Sequence, residues 1–225
     1  MATSTATPRR PAAKKAAADP RDLRHQALAN VRRRLVLDAA RSAFFELGME
    51  KTSIREIAHR AGYTAGAIYS YFASKEEVYG ALLDESLDRL NAAVQLALAG
   101  ITDDGERVRR SATAFFDFYR ENPHDLDLGF YLFQGMKPRG LTPELNEKLN
   151  SRLREALRPT QEALSPLGMS AKRALEEVTA LFAHTVGLLV LSHTGRIRMF
   201  RQASQDLFDT YLLQLLARAA SGKRA

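Results

Sequence analysis

The sequence predicts an all-α protein: three short N-terminal helices in a helix-turn-helix arrangement, followed by a larger helical domain. Three observations predict it. The chain of 225 residues is 45% apolar and 26% charged, rich in Leu, Ala, Arg and Glu, and almost free of the alternating β-branched pattern of strands. Apolar residues recur at helical spacing in successive segments separated by glycine, proline and capping residues. The early segments are short with a tight turn between two of them, whereas the next is long enough to join two domains.

The first segment carries Val36, Ala40, Ala43, Phe44 and Leu47 on one helical face, and Gly48 ends it. Ser53 and Glu56 have capping-box spacing and open a second helix whose stripe is Ile54, Ile57, Ala58 and Ala61; Gly62 stops it. Thr64 caps a third short helix, expected over 65–72, with Ile68 and Phe72 facing the core. Ser74 and Glu77 form another capping box, and the stripe from Val78 through Leu98 predicts a helix of roughly 35 Å at ~1.5 Å per residue. Beyond Gly100 the spacing predicts a helix ending at Asn122-Pro123 and a short or broken one up to Pro138. Then follow a long helix from Pro143 to about Leu164 with a kink at Pro159, and two more over about 171–193 and 203–219.

Charge divides the chain. Residues 1–34 hold nine Lys/Arg against two Asp, so this leader carries the whole net charge of +7 and the rest is neutral. A basic, Ala/Pro-rich leader over 1–30 reads as a disordered arm suited to a polyanion. The domain boundaries expected from these signals are 1–30 for the arm, 31–80 for the helix-turn-helix domain with its motif at about 53–72, and 81–225 for a larger helical domain. The absence of cysteine excludes disulfides, thiol catalysis and Cys-ligated zinc. The N-terminus lacks the apolar run of a secretory signal, and the uncharged run 178–195 contains two His, three Thr and a Ser, which suits a buried helix better than a membrane span. A cytoplasmic protein with no membrane partner is expected.

In a helix-turn-helix unit the third helix enters the major groove and must combine close approach with hydrogen-bond donors. Ala65, Gly66 and Ala67 remove bulk there, although a glycine inside a helix costs roughly 1 kcal/mol relative to alanine. Tyr69 and Ser70 lie off the Ile68/Phe72 face, where a double-stranded DNA operator would pass below Thr64 at the helix start, and Tyr71 either touches that DNA or packs against the first helix. Thr52 and Ser53 at the start of the second helix and Lys75 at the start of the fourth place further donors at helix N-termini, which favour anions.

Together these residues resemble a known family. The separations among "AxxxFFxxG", "TSIxxIAxxAG" and "GAIYxYFxSKE", over roughly residues 31–83, are similar to the DNA-binding domain of the TetR/AcrR family of bacterial transcription regulators. Tyr63 stands where that family more often has a small aliphatic residue, Thr64 replaces the frequent Ser and Ile68 the frequent Leu. The resemblance implies a homodimer, usually built by the last two helices as a four-helix bundle, and a ligand cavity in the C-terminal domain.

For the interface the apolar stripes offer Val186, Leu189 and Val190 on one helix and Phe208, Tyr211, Leu212 and Leu215 on the next. For a small apolar effector the candidate wall is Phe115, Phe116, Tyr119 and Phe130, with Phe133, Met136, Phe182 and His184. The expected function is a ligand-responsive regulator, a repressor on a palindromic operator. The alternative is a helical adaptor that uses its helix-turn-helix for protein contact. Catalysis is not expected, because no nucleophile elbow, dinucleotide or phosphate loop, or His-Glu-x-x-His occurs. No cofactor or metal is expected either: His184 and His193, nine residues apart, fall on opposite sides of one helix.

Overall fold

The computed structural model describes residues 19–130 and 141–222, and the described residues form α-helices and one 3-10 turn with no strand. The predicted all-α class is therefore borne out. The helices are α1 Pro20–Lys51, α2 Ile54–Ala61, α3 Ala65–Tyr69, α4 Lys75–Ala97, α5 Asp104–Glu121, α6 Pro123–Phe130, α7 Pro143–Leu164, α8 Ala171–His193 and α9 Ser204–Gly222. A 3-10 turn, Arg196–Phe200, joins the last two.

One expectation is corrected. The chain is helical from Pro20, so residues 20–30 belong to α1 rather than to an arm; Asp19 caps the helix by accepting the Arg21 amide, and Pro20 suits its first position. Pro159 lies inside α7, which continues past it to Leu164.

The helix-turn-helix head is closed by Leu37, Ala40 and Phe44 of α1 against Ile57 and Ala58 of α2 and Ile68 of α3, all almost fully buried. The caps act as the sequence suggests: Ser53 Oγ accepts the Glu56 amide, Thr64 Oγ1 the Ala67 amide and Ser74 Oγ the Glu77 amide. Gly62 adopts φ 72°, ψ 28°, the left-handed conformation glycine reaches at no steric cost, and Tyr63 N–H closes back on the Ala58 carbonyl at 2.8 Å.

α4 leaves this head and becomes part of the second domain, where α5 packs between α4, α7, α8 and α9. Contacts between α4 and α7 advance together along both helices. Lys148 pairs with Asp84 at 2.8 Å, Arg152 reaches Asp84 and Asp88, and Asn91 donates to the Arg152 carbonyl, so the two helices run parallel. At Gly80 they touch closely: a Cβ there would lie 2.4 Å from Leu145 Cδ2.

Candidate nucleic-acid interface and effector cavity

Helix α3 and the end of α2 present a small polar surface. Tyr69 is 57% exposed, Thr64, Gly66 and Ser70 are exposed, and Ile68 and Phe72 behind them are buried. Gly66 takes no positive φ, and a Cβ built on it meets nothing nearer than Thr64 Oγ1 at 4.0 Å. The fold has room for a side chain at this position. Ser70 Oγ donates to the Ala67 carbonyl at 2.7 Å, and Ser53 remains exposed beside its cap.

Several expected contact residues have other work. Thr52 is buried, and its hydroxyl lies 2.7 Å from the Gly48 carbonyl and 3.1 Å from that of Ala43, so it latches the end of α1. Lys75 Nζ donates to the carbonyls of Met49 at 2.7 Å, Thr52 at 3.2 Å and Glu50 at 3.4 Å. An ammonium has three protons, and here three carbonyls at the frayed end of α1 receive them. Ala65 and Tyr71 are half-buried against the core rather than on the open surface. Helix α3 is also shorter than expected: Tyr71 and Phe72 follow it in a turn, their amides bonded to the Ile68 carbonyl.

The head is tied to the second domain through α4 and α6. The fully buried Tyr79 ring meets Phe44 of α1 edge-on at 6.0 Å, and its hydroxyl donates to the Leu128 carbonyl on α6. Arg89 of α4 reaches Asp125 of α6 at 2.6 Å, and the Phe45 ring lies 4.3 Å from that of His124.

In the second domain Phe115, Tyr119, Phe130 and Phe182 form one aromatic cluster with neighbouring ring centroids 5.2–5.9 Å apart. Two members of the expected pocket wall stand elsewhere. Phe116 is buried and stacked on Phe208 at 4.3 Å, which makes it core, and His184 stacks on Tyr211 at 4.3 Å beside α9. Phe133 and Met136 lie outside the described residues.

A cleft of about 530 Å³ opens between α7 and α8 beside Phe182, and a cavity of about 250 Å³ lies between α4, α5, α6 and α7 beside Tyr119; both are bounded by Asn150 and Leu153. Nothing in the sequence singled out this pair of α7 residues, because each lies on a mixed face and becomes a wall only when α7 meets its neighbours.

The expected dimer residues also divide. Leu189, Phe208, Leu212 and Leu215 are buried within the chain's own core, because α9 packs on α5 and α8 before any partner is present. Val186, Val190 and Tyr211 are half-buried. On α8 the exposed Ala180, Ala183 and Gly187 share one open face, whereas Leu175, 53% exposed, borders the cleft toward α7; on α9 Leu213 is 56% exposed. Among the described helices α8 is long and apolar enough to cross a membrane, but Val178, Leu181, Leu188 and Leu189 are buried by its neighbours.

A short helix set at the surface by a glycine turn, with a long helix carrying it into an all-helical second domain, defines a two-domain helix-turn-helix protein. Residues 36–82 match the family model described as bacterial regulatory proteins, tetR family. Over these residues the chain carries a DNA-binding domain of the tetR type.

It is 37% identical over 99 residues to the HTH-type transcriptional activator FasR of Mycolicibacterium smegmatis, covering 44% of this chain and 45% of that protein. It is 36% identical over 88 residues to the transcriptional repressor KstR2 of Mycobacterium tuberculosis, covering 39% and 44%. These matches span less than half the length of each relative. Over most of the chain the likeness is one of fold. The regulator FadR of Bacillus subtilis, in complex with stearoyl-CoA, aligns with TM-score 0.62 at 18% identity over 81% of this chain and 96% of its own. A TetR/AcrR-family regulator from Thermobifida fusca aligns with TM-score 0.59 at 24% identity over 82% and 96%.

Proposed function

We propose that this protein is a ligand-responsive transcription regulator that binds a palindromic operator as a homodimer and, as a repressor, is released by a small apolar effector in the cytoplasm. The observation that carries the reading is Gly66. A glycine in a helix costs roughly 1 kcal/mol, and here the fold has room for a methyl group, so the reason for the missing side chain lies outside the chain. A surface flanked by Thr64, Tyr69 and Ser70, with no bulk at its centre, suits the approach of a helix to base edges and phosphates.

The homodimer reading rests on the open face of α8 and α9. Ala183 and Gly187 let a second helix pair approach closely, Leu213 supplies apolar area, and Gly187 has open space where its Cβ would be. A two-fold dimer of helix-turn-helix heads reads two symmetric half-sites, hence the palindrome. The stearoyl-CoA named with the B. subtilis protein supports an apolar effector for this fold, whereas the named relatives include both an activator and a repressor.

The effector acts by differential affinity. It releases DNA only if it binds better to the conformation whose heads are wrongly spaced for the operator. α4 is the element that changes the spacing, since its first turns belong to the head and its ties to α6 and α7 belong to the effector domain.

The test is Gly66→Ala, compared with the parent chain by thermal melting and by binding to DNA selected from a random pool. The melting temperature is expected to hold or rise slightly, while DNA affinity falls at least tenfold. Unchanged affinity would remove α3 from the interface.

A further inference from the structure

Tyr119 is buried to within 1% of its surface, yet among the described residues its hydroxyl makes no hydrogen bond. It lines the cavity of about 250 Å³ between α4, α5, α6 and α7, and its oxygen stands 3.6 Å from where a Cβ on Gly129 would be. A buried hydroxyl without a partner is costly, so one aimed into a cavity marks a place where something else supplies the bond.

The remaining walls describe that partner. α4 contributes Leu83 and Leu87, α7 contributes Leu149 and Leu153, and the polar groups besides Tyr119 are the amides of Asn146 and Asn150 nearer the surface. Among the described residues no ionisable side chain other than the phenol lines the cavity. Lys148 and Arg152, on the same helix, are turned to Asp84 and Asp88. Burial, helped by the Asp125 charge, pushes the Tyr119 phenol well above its ordinary value, so it stays protonated and can donate. An anion here would meet no cation among the described lining residues and would lose its water, which is expensive; a carbonyl oxygen would meet a ready donor.

We infer that this cavity is the effector site and that it selects an uncharged apolar molecule carrying one carbonyl-type oxygen, a ketone, ester or lactone, which accepts the Tyr119 hydrogen bond. This rests on the regulator reading above and names the chemistry of its ligand. At ~30 Å³ per water-sized group the cavity holds about eight such groups, the size of a medium-chain ketone. Its occupant lies against Leu83 and Leu87, and so against the helix that carries the DNA-reading head.

The experiment titrates the full chain with 2-octanone and with octanoate at pH 7.5 by calorimetry, alongside Tyr119→Phe and Gly129→Ala. The first variant removes only the donor. In the second the added methyl makes ordinary contact and covers the hydroxyl, so both are expected to fold. The parent is expected to bind 2-octanone at least tenfold more tightly than octanoate, and each variant to lose about tenfold for 2-octanone. Tighter binding of octanoate, undiminished 2-octanone binding in Tyr119→Phe, or no 2-octanone binding by the parent would each overturn the assignment. Selected-DNA binding measured on the same preparations separates the two readings: a chain that binds DNA but not 2-octanone keeps the regulator and loses this site, and one that binds no DNA loses both.

Discussion

At the scale of single residues, Lys75 shows how a charge legible in the sequence is spent by the fold. Its place at a helix start beside the reading surface suggests a phosphate contact, but its three donors go to the carbonyls of Met49, Glu50 and Thr52. Gly48, with φ 77° and ψ 163°, breaks α1 and leaves those carbonyls without helical partners. The lysine is thus the cap of a helix 25 residues away in sequence. Lys75→Met should lower stability by about 1–3 kcal/mol, because it leaves carbonyls unsatisfied, while the slope of DNA affinity against salt stays the same. A thermal melt and a salt titration of DNA binding check both parts. A shallower slope with an unchanged melt would return Lys75 to the phosphates. Thr52 follows the same logic, whereas Gly66, with no internal contact to explain it, keeps its outward role.

At the scale of elements, the helix starts were the most legible features, because a cap is a local arrangement of a Ser or Thr oxygen and an amide three residues on. Pairings between helices were not legible. Glu177 on α8 is buried and held by Arg218 of α9 at 2.8 Å and 3.1 Å and by Arg173 at 2.7 Å. Hydrogen bonds from Arg218, aided by the charges of both arginines and opposed by burial, hold its carboxyl below the usual glutamate range. The unfolded chain then takes up this proton at a higher pH than the folded one. The stabilisation is complete above the ordinary glutamate value of about 4.3 and is lost as pH falls through the lower folded value. Glu177→Gln should melt below the parent at pH 7, and the gap should narrow below about pH 4; melting curves from pH 7 to 3 test this. A constant gap would mean that the carboxylate's charge contributes nothing to joining α8 and α9.

At the scale of the whole molecule, the head and the effector domain share α4, and three ties converge on it: Tyr79 to the α6 carbonyl of Leu128, Arg89 to Asp125, and Arg152 to Asp84. A change in the cavity walls therefore reaches the head through a continuous helix rather than through a flexible joint. The open face of α8 and α9 is where the proposed homodimer would place its second copy. Ala183→Arg puts a charge on that face and, on this proposal, should leave a monomer of unchanged helicity, with at least tenfold weaker binding to a two-half-site DNA. Sedimentation, circular dichroism and DNA titration read the three outcomes, and a variant that still sediments as a dimer would place the interface elsewhere.

The sequence by itself determined the fold class, the positions of the helices, the glycine turn before α3 and the family of the N-terminal domain. All of these depend on periodicity, caps and short spacings that lie within a few turns of chain. Only the tertiary structure decided which apolar residues are core and which are surface. Leu189, Phe208, Leu212 and Leu215 lie on apolar stripes that the sequence offered to a partner and the fold buries within the chain, because a stripe records that a face must be covered without recording by what. Only the fold, likewise, distinguished Tyr119 from the aromatic residues around it. Its ring belongs to the core they share, and its unpartnered oxygen became visible once α4, α6 and α7 had closed around it and left a space.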